Sequence, residues 1–322
     1  MKKWLLLLFT AMLAIFTAAC GSNGSAPAAA TAETQTTQAS TEEVTIKHQL
    51  GETKVKKNPQ KVVVFDFGVL DTLDKLGVEV AGVPQNNLPS YLSKYKDSKY
   101  ANIGGVKEPD FEKVNEIAPD LIIISGRQQD SYEEFSKIAP TLYMEVDTSK
   151  YIESFTSNMK TLGEIFGKES AIEEELAKLN ETIKAVHEKV TASGKNALIV
   201  LANEGKVSAY GAGSRFGLIH DVLGFTPADP NIEASTHGQS ISFEYIAEKD
   251  PDYLFVIDRG AVVTTGNGGS SAKQVIENDL VKQTKAYKNG NIVYLDPNYW
   301  YLAGGGLVSV QGMIDEVAKS VK

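Results

Sequence analysis

The chain has 322 residues, with 32 Lys plus Arg against 41 Asp plus Glu, a formal net charge of −9 and a single cysteine. The acidic balance and the lack of any long basic stretch argue against nucleic acid as a partner, and one cysteine excludes an intrachain disulfide. Only three of the 32 cations are arginines, Arg127, Arg215 and Arg259. Lysine therefore carries the generic surface charge, and an arginine is expected where a planar, permanently charged fork is needed. Taken singly, each of the three is equally well explained by a surface salt bridge.

In chain order, Lys2 and Lys3 precede an apolar run over residues 4–16, and small residues follow up to Cys20. A basic start, a short apolar stretch and a small-residue cut form the pattern of a secretory signal, read here as residues 1–19. The run is shorter than the roughly 20 residues that a membrane span needs. With its cysteine at the cut, the segment resembles the bacterial lipoprotein box, although Thr17 stands where that box usually has leucine. The resemblance implies that Cys20 becomes the lipidated first residue, anchored on the extracytoplasmic face of the cell membrane. Loss of Lys2 and Lys3 moves the charge from −9 to −11. Residues 20–43 are small, polar and aperiodic, as expected of a flexible tether.

About 280 globular residues remain, more than one simple core suits, so two lobes are expected. The sequence carries a repeat that says the same. FEKVNEIAPDLIIISGR (111–127) and FEYIAEKDPDYLFVIDR (243–259) share Phe-Glu, Pro-Asp and a terminal Arg at one spacing, offset by 132 residues, with their apolar runs in register. Each copy reads as a short helix, a Pro-Asp break, a buried strand and an arginine. VVVFDFG (62–68) and ALIVLANEG (197–205) read as the first strand of each lobe. Between them Ile172, Leu176, Leu179, Ile183 and Val186 recur at helical spacing without an interrupting glycine or proline. This gives an N-terminal lobe at 44–168, a linking helix at 169–193 and a C-terminal lobe at 194–322.

Strands alternating with helices indicate parallel α/β sheets, in which ligands gather beyond the carboxyl ends of the strands. Arg127 and Arg259 both fall there, and Arg215 lies between a strand at 207–210 and a helix expected at 216–223. Together the three point to one shared anionic site. Asp258, beside Arg259, either orients the guanidinium or caps the next turn.

Enzymatic signatures are lacking. Gly211, Gly213 and Gly217 are spaced one residue too widely for a dinucleotide fingerprint, and TGNGGSS (265–271) lacks the Lys-Ser/Thr of a phosphate loop. There is no G-x-S-x-G and no H-E-x-x-H, and His48, His187, His220 and His237 are too scattered for a bare metal site with several imidazoles. The segments ASTHGQSISFEY (234–245) and LDPNYWYLAGGG (295–306) add His237, Trp300 and Tyr301 near the arginines. Imidazole and phenolate both ligate iron.

GSRFGLIHDVLG, STHGQS, KDPDYLFVIDR and YLDPNYWYLAGGG, with KVVVFDFGVLDTLDKLG and KYANIGGVKEPDFEKV, resemble the siderophore-binding lipoproteins of iron-uptake ABC transporters, in their catecholate (petrobactin- and enterobactin-type) subgroup. The resemblance implies an α/β fold of two Rossmann-like lobes joined by a long helix, the class III periplasmic-binding-protein arrangement, with the ligand in the cleft between lobes. It also implies a monomeric binding protein rather than an enzyme, without a cofactor of its own. Fe(III) would be carried as a siderophore complex, petrobactin foremost, and passed to an ABC permease.

Residue by residue, it assigns Arg127, Arg215 and Arg259 to the anionic complex, with Trp300 beside it. His237 and Tyr301 would complete the iron sphere when the siderophore is only tetradentate. One acid per lobe would dock the permease. The repeat pairs Glu112 with Glu244, and Glu108 competes for the first position. Guanidinium suits this cargo, because ferric catecholates are anionic and their rings offer faces for cation–π contact. A haem or corrinoid receptor of the same fold, and an α/β enzyme using His237, are the alternative readings.

Overall fold

The structure, a computed structural model, describes residues 42–263 and 271–321. Contacts divide the chain after residue 38, and every described residue belongs to the unit that follows. The signal segment 1–19, Cys20, the tether up to residue 41 and all but the last residue of the TGNGGSS loop lie outside the described residues. The tether boundary needs one correction. Strand β1 (Glu43–His48) begins inside the segment read as tether, and Glu42 already pairs with Lys57 at 2.8 Å. β1 forms an antiparallel hairpin with β2 (Gly51–Lys56).

The N-terminal lobe runs through β3 (Val62–Val64), α1 (Phe67–Lys75), β4 (Gly82–Val83), β5 (Ala101–Asn102), α2 (Phe111–Ile117), β6 (Leu121–Ile124), α3 (Tyr132–Ser136) and β7 (Thr141–Tyr143). Its sheet has the order β5-β4-β3-β6-β7, every pair parallel. Two helices follow, α4 (Tyr151–Phe166) and α5 (Glu169–Ser193). α5 buries Ile172, Leu176, Leu179, Val186 and Val190 along one stripe and ends at left-handed Gly194. Its 25 residues span roughly 37 Å at 1.5 Å per residue. Ile183, expected in the stripe, is only partly buried.

After α5 the chain forms the C-terminal sheet and its helices through β8 (Asn196–Asn203), β9 (Lys206–Tyr210), α6 (Leu218–Asp221), β10 (Thr226–Pro227), β11 (Gln239–Ile241), α7 (Phe243–Lys249), β12 (Tyr253–Asp258), α8 (Ala272–Ile276), α9 (Lys285–Lys288) and β13 (Ile292–Leu295), and ends in α10 (Leu307–Ser320), which packs on α1 and α5. That sheet, β11-β9-β8-β12-β13 with β10 beside β8, is mixed rather than wholly parallel. β9 returns antiparallel to β8 through Glu204 and Gly205, both at positive φ. A two-residue turn of that hand matches strand twist and makes a hairpin, so β9 runs antiparallel in a sheet expected to be parallel. α6 is also shorter than the helix expected at 216–223, so Arg215 sits in the preceding loop.

The repeat is structural down to single hydrogen bonds. In both copies the helix closes on a left-handed residue before proline, Ala118 at φ 49° and Asp250 at φ 40°. The Asp after each proline then accepts a backbone N–H at the start of each sheet's first strand in chain order, from the residue before β3 in one copy and from the first residue of β8 in the other. Asp120 takes Lys61 N at 3.0 Å, and Asp252 takes Asn196 N at 3.2 Å. These contacts fix the register of β6 on β3 and of β12 on β8, Leu121 facing Val62 and Tyr253 facing Ala197. The strands they start are buried along residues 121–124 and 253–257.

One buried carboxylate ties the C-terminal helix to the first. Asp71 on α1 accepts the N–H groups of Val308 (3.2 Å) and Ser309 (3.0 Å) in the first turn of α10 and the hydroxyl of Tyr91 (3.0 Å). Thr72 accepts Leu307 N at 3.1 Å. α1 thus caps α10, where an anion is favoured by the helix dipole. Burial pushes the Asp71 carboxyl up to about 7, against the pull of the hydrogen bonds from Ser309, Tyr91 and Val308. Gly306 is required at this seam, because any Cβ there would meet the Asp71 carboxylate. Asp71→Ala leaves several buried donors unmet and is expected to cost about 3 kcal/mol or more in urea unfolding.

Candidate ligand-binding site

A cleft of about 800 Å³ opens at the carboxyl ends of both sheets. Its walls are residues 125–127 and 144–148 from the N-terminal lobe, and 213–215, 234–236 and 300–305 from the C-terminal lobe. Arg127 emerges from β6, next to the point where the strand order turns back at β3, and that is where an open α/β sheet leaves a crevice. Ser125 secures this exit by donating to Asp66, at the end of β3, at 2.7 Å.

All three arginines converge on Tyr301. Arg127 donates to the Tyr301 carbonyl at 2.9 Å and to the Leu302 carbonyl at 3.4 Å. Arg215 donates to the same Tyr301 carbonyl at 3.1 Å, with its guanidinium 4.6 Å from the Tyr301 ring centre and 4.9 Å from that of Phe216. Arg259 donates through Nε to the Tyr301 hydroxyl at 2.9 Å and through Nη1 to Asn203 at 2.8 Å. All three are half-buried, and none pairs with a carboxylate among the described residues. Their acceptors are two neutral carbonyls, an amide and a phenol, so the positive charge stays available.

That charge alters two of its members. Burial pulls Arg215 below its ordinary value, and neighbouring Arg127 adds to the effect. For Tyr301, burial opposes ionisation, but the hydrogen bond and charge of Arg259, with Arg215 and Arg127 behind it, outweigh burial and lower the phenol. The tyrosines with raised values, Tyr91, Tyr151 and Tyr210 among them, are shifted first by burial.

Other residues singled out in the sequence fall into different places. Trp300 reaches the cleft wall but is only 2% exposed, and its indole N–H donates to Glu316 at 2.8 Å. It is floor rather than an open ring face. Arg259 is not on the wall and is joined to it through Tyr301. His237 also lies off the wall, one residue beyond the lining segment 234–236, exposed and without a hydrogen-bond partner among the described residues. Glu112 and Glu244 are exposed in the first turns of α2 and α7. Each helix precedes a parallel strand, so both helix starts lie at the strand ends that carry the cleft. Glu108, nearby, is exposed too.

Asp258 is settled by geometry. One oxygen accepts Ala261 N at 3.2 Å and the other Ala272 N at 2.8 Å, so it caps the turn after β12 and the start of α8. Sequence reading missed Asn203, which holds Arg259, and Thr148, which donates across the cleft to the Gly213 carbonyl at 2.8 Å. Asn203 was within reach, because it ends β8 just as Arg259 follows β12. Among the described residues no three His, Cys, Asp or Glu side chains gather as a metal site, and no helix is long and apolar enough to cross a membrane.

The lowered phenol is directly measurable. In an ultraviolet pH titration one tyrosine is expected to ionise below the ordinary value of 10.0, and Tyr301→Phe should remove that first step. A first step unchanged in Tyr301→Phe would contradict this electrostatic picture.

Known proteins share this fold. The family model described as "Periplasmic binding protein" matches residues 62–299. The petrobactin-binding protein YclQ of Bacillus subtilis is 54% identical, covering 98% of each chain, and its crystal structure superposes with a TM-score of 0.84 over 87% of this chain and 99% of that one. The periplasmic catecholate-siderophore binding protein VctP of Vibrio cholerae gives a TM-score of 0.81 at 40% identity, over 86% and 99%. BauB, solved with two acinetobactin molecules and ferric iron, gives 0.80 at 35% identity, over 87% and 99%. These relatives are binding proteins rather than enzymes. By sequence match and by strand order, the chain belongs to the periplasmic binding protein family, in the class III form of two α/β lobes joined by a long helix.

Proposed function

We propose that this protein captures a ferric catecholate siderophore, with petrobactin the first candidate, and delivers it to an ABC permease for iron uptake. The observation that carries the reading is the set of three guanidinium groups without a carboxylate partner, gathered at one tyrosine beside the cleft. A catecholate bound to iron contributes two negative charges. Three permanently charged forks answer that anion in a way that lysine, whose proton is lost more readily on burial, would not. The relation to YclQ, to VctP and to BauB supports the same ligand class.

In this reading Arg127 and Arg215 leave the Tyr301 carbonyl for catecholate oxygens, while Arg259 stays on the phenol. A lowered phenol close to the cleft is suited to act as phenolate. With a tetradentate siderophore, which leaves two octahedral positions open, Tyr301 takes one and His237 takes the other after its loop moves inward. Iron is cargo here, and no resident cofactor is invoked. Glu112 and Glu244, exposed at matching helix starts on the cleft-bearing face, are the permease contacts. Cys20 supplies the lipid anchor and residues 20–41 the tether, on the extracytoplasmic face, with the protein acting as a monomer.

Titration followed by tryptophan fluorescence tests the ligand class, since Trp300 forms the cleft floor. Ferric bis-catecholate and tris-catecholate complexes are expected to quench saturably, and a ferric hydroxamate and haemin much less. Arg127→Ala and Arg215→Ala should each weaken ferric catecholate binding about tenfold or more, the scale of one lost charge-assisted contact. Saturable quenching by haemin alone, or full affinity in both variants, would contradict the proposal. Glu112→Ala combined with Glu244→Ala should abolish uptake by cells while leaving affinity for the complex intact. Normal uptake by that double variant would refute the docking assignment.

A further inference from the structure

The cleft wall is not uniformly cationic. Asp66, Glu145 and Asp147 also line it. Two of these acids are accounted for by backbone capping. Asp66 accepts Val69 N at the start of α1, and Asp147 accepts Ser149 N, each at 2.9 Å. Glu145 has no such duty. It is exposed, it forms no ion pair among the described residues, and its one side-chain partner is the hydroxyl of Tyr143. Burial, with the Glu145 carboxylate beside it, pushes the Tyr143 hydroxyl up, so that hydroxyl keeps its proton and donates it.

Two further neighbours bear on Glu145. Asn158 on α4 donates to its carbonyl at 3.1 Å. Gly126, the residue before Arg127, is flush against its carboxylate, and any Cβ at 126 would collide with it. The glycine leaves room for the carboxylate to lie against the backbone beside Arg127.

Glu145 also stands at a junction. A second cavity of about 150 Å³ adjoins the cleft and shares Gln49, Met144, Glu145 and Asn158 with it. Beyond these, the annex is lined by Ile46, Lys47 and His48 of β1, by Leu142 and Tyr143 of β7, and by the hydroxyl side chains Ser154, Ser157 and Thr161 of α4. Lys47 lines the annex only, and makes no ion pair with Glu145 among the described residues. A carboxylate at the mouth of this side cavity, free of the capping contacts that occupy Asp66 and Asp147, repels an anion and attracts a cation. An exclusively anionic cargo gives it nothing to do.

We infer that Glu145 and the annex form a subsite for a protonated amine on an arm of the siderophore, so that the cargo is read as a molecule of mixed charge. The anionic iron centre lies with the arginines, and the arm carries its ammonium past Glu145 into the annex. This rests on the ferric catecholate reading and adds a second, independent selection to it. Complexes with neutral linkers satisfy the arginines and leave Glu145 with the Tyr143 hydroxyl but no cation.

Two synthetic ferric bis-catecholates of equal linker length test the subsite, one with a secondary amine in the linker and one with a methylene in its place. The wild-type protein is expected to bind the amine complex about five- to tenfold more tightly, the scale of a charge-assisted hydrogen bond partly open to water. Glu145→Gln should bring that ratio to about one. Ser157→Leu, which narrows the annex without touching the main cleft, should weaken the amine complex and leave a complex with truncated arms unaffected. Equal affinities for the two linkers in the wild type, or a preference that survives Glu145→Gln, would overturn the subsite while leaving the catecholate reading in place. Failure of both complexes to quench would overturn the catecholate reading and the subsite with it.

Discussion

A guanidinium held half out of water needs acceptors on its N–H groups, and most protein sites supply a carboxylate that cancels the charge as well. Around Tyr301 the acceptors are backbone carbonyls, an amide and a phenol. Each arginine is oriented, yet the net charge of the group is left uncancelled from within the protein. The rest of the cleft depends on this arrangement. It lowers the phenol and leaves three cations gathered at one point in a chain of net charge −9, which suits an anionic occupant.

The architecture serves to bring those groups together. Two helix-break-strand units, pinned by Asp120 and Asp252 to the starts of the first strands, deliver Arg127 and Arg259 to the same edge of their sheets. The turn over 298–302 then places Tyr301 between them. Asp71, buried where α1 meets α10, ties the start of the last helix to the first, and α5 runs between the two sheets in sequence.

Much of this was legible in the sequence because its causes are local or repeated. The repeat exposed the two lobes, helical spacing exposed α5, and the scarcity of arginine exposed the cationic group. What stayed hidden depends on tertiary geometry. The Glu204-Gly205 hairpin brings β9 back antiparallel in a sheet expected to be parallel, since a non-glycine residue at positive φ leaves little trace in sequence. Asn203 and Thr148 act only through partners 56 and 65 residues away. Asp258 allowed two readings until its two N–H donors were known. His237 resembles a ligand by motif, but its loop sets the side chain outside the wall.

The central claim is that the guanidinium groups on Tyr301 are held in reserve for an anionic ferric complex. A crystal structure with a ferric bis-catecholate bound tests it most directly. The account predicts the complex in the cleft, with Arg127 and Arg215 turned from the Tyr301 carbonyl onto catecholate oxygens and Tyr301 against the iron. A complex seated elsewhere, or arginines that keep their present partners beside it, would contradict the account.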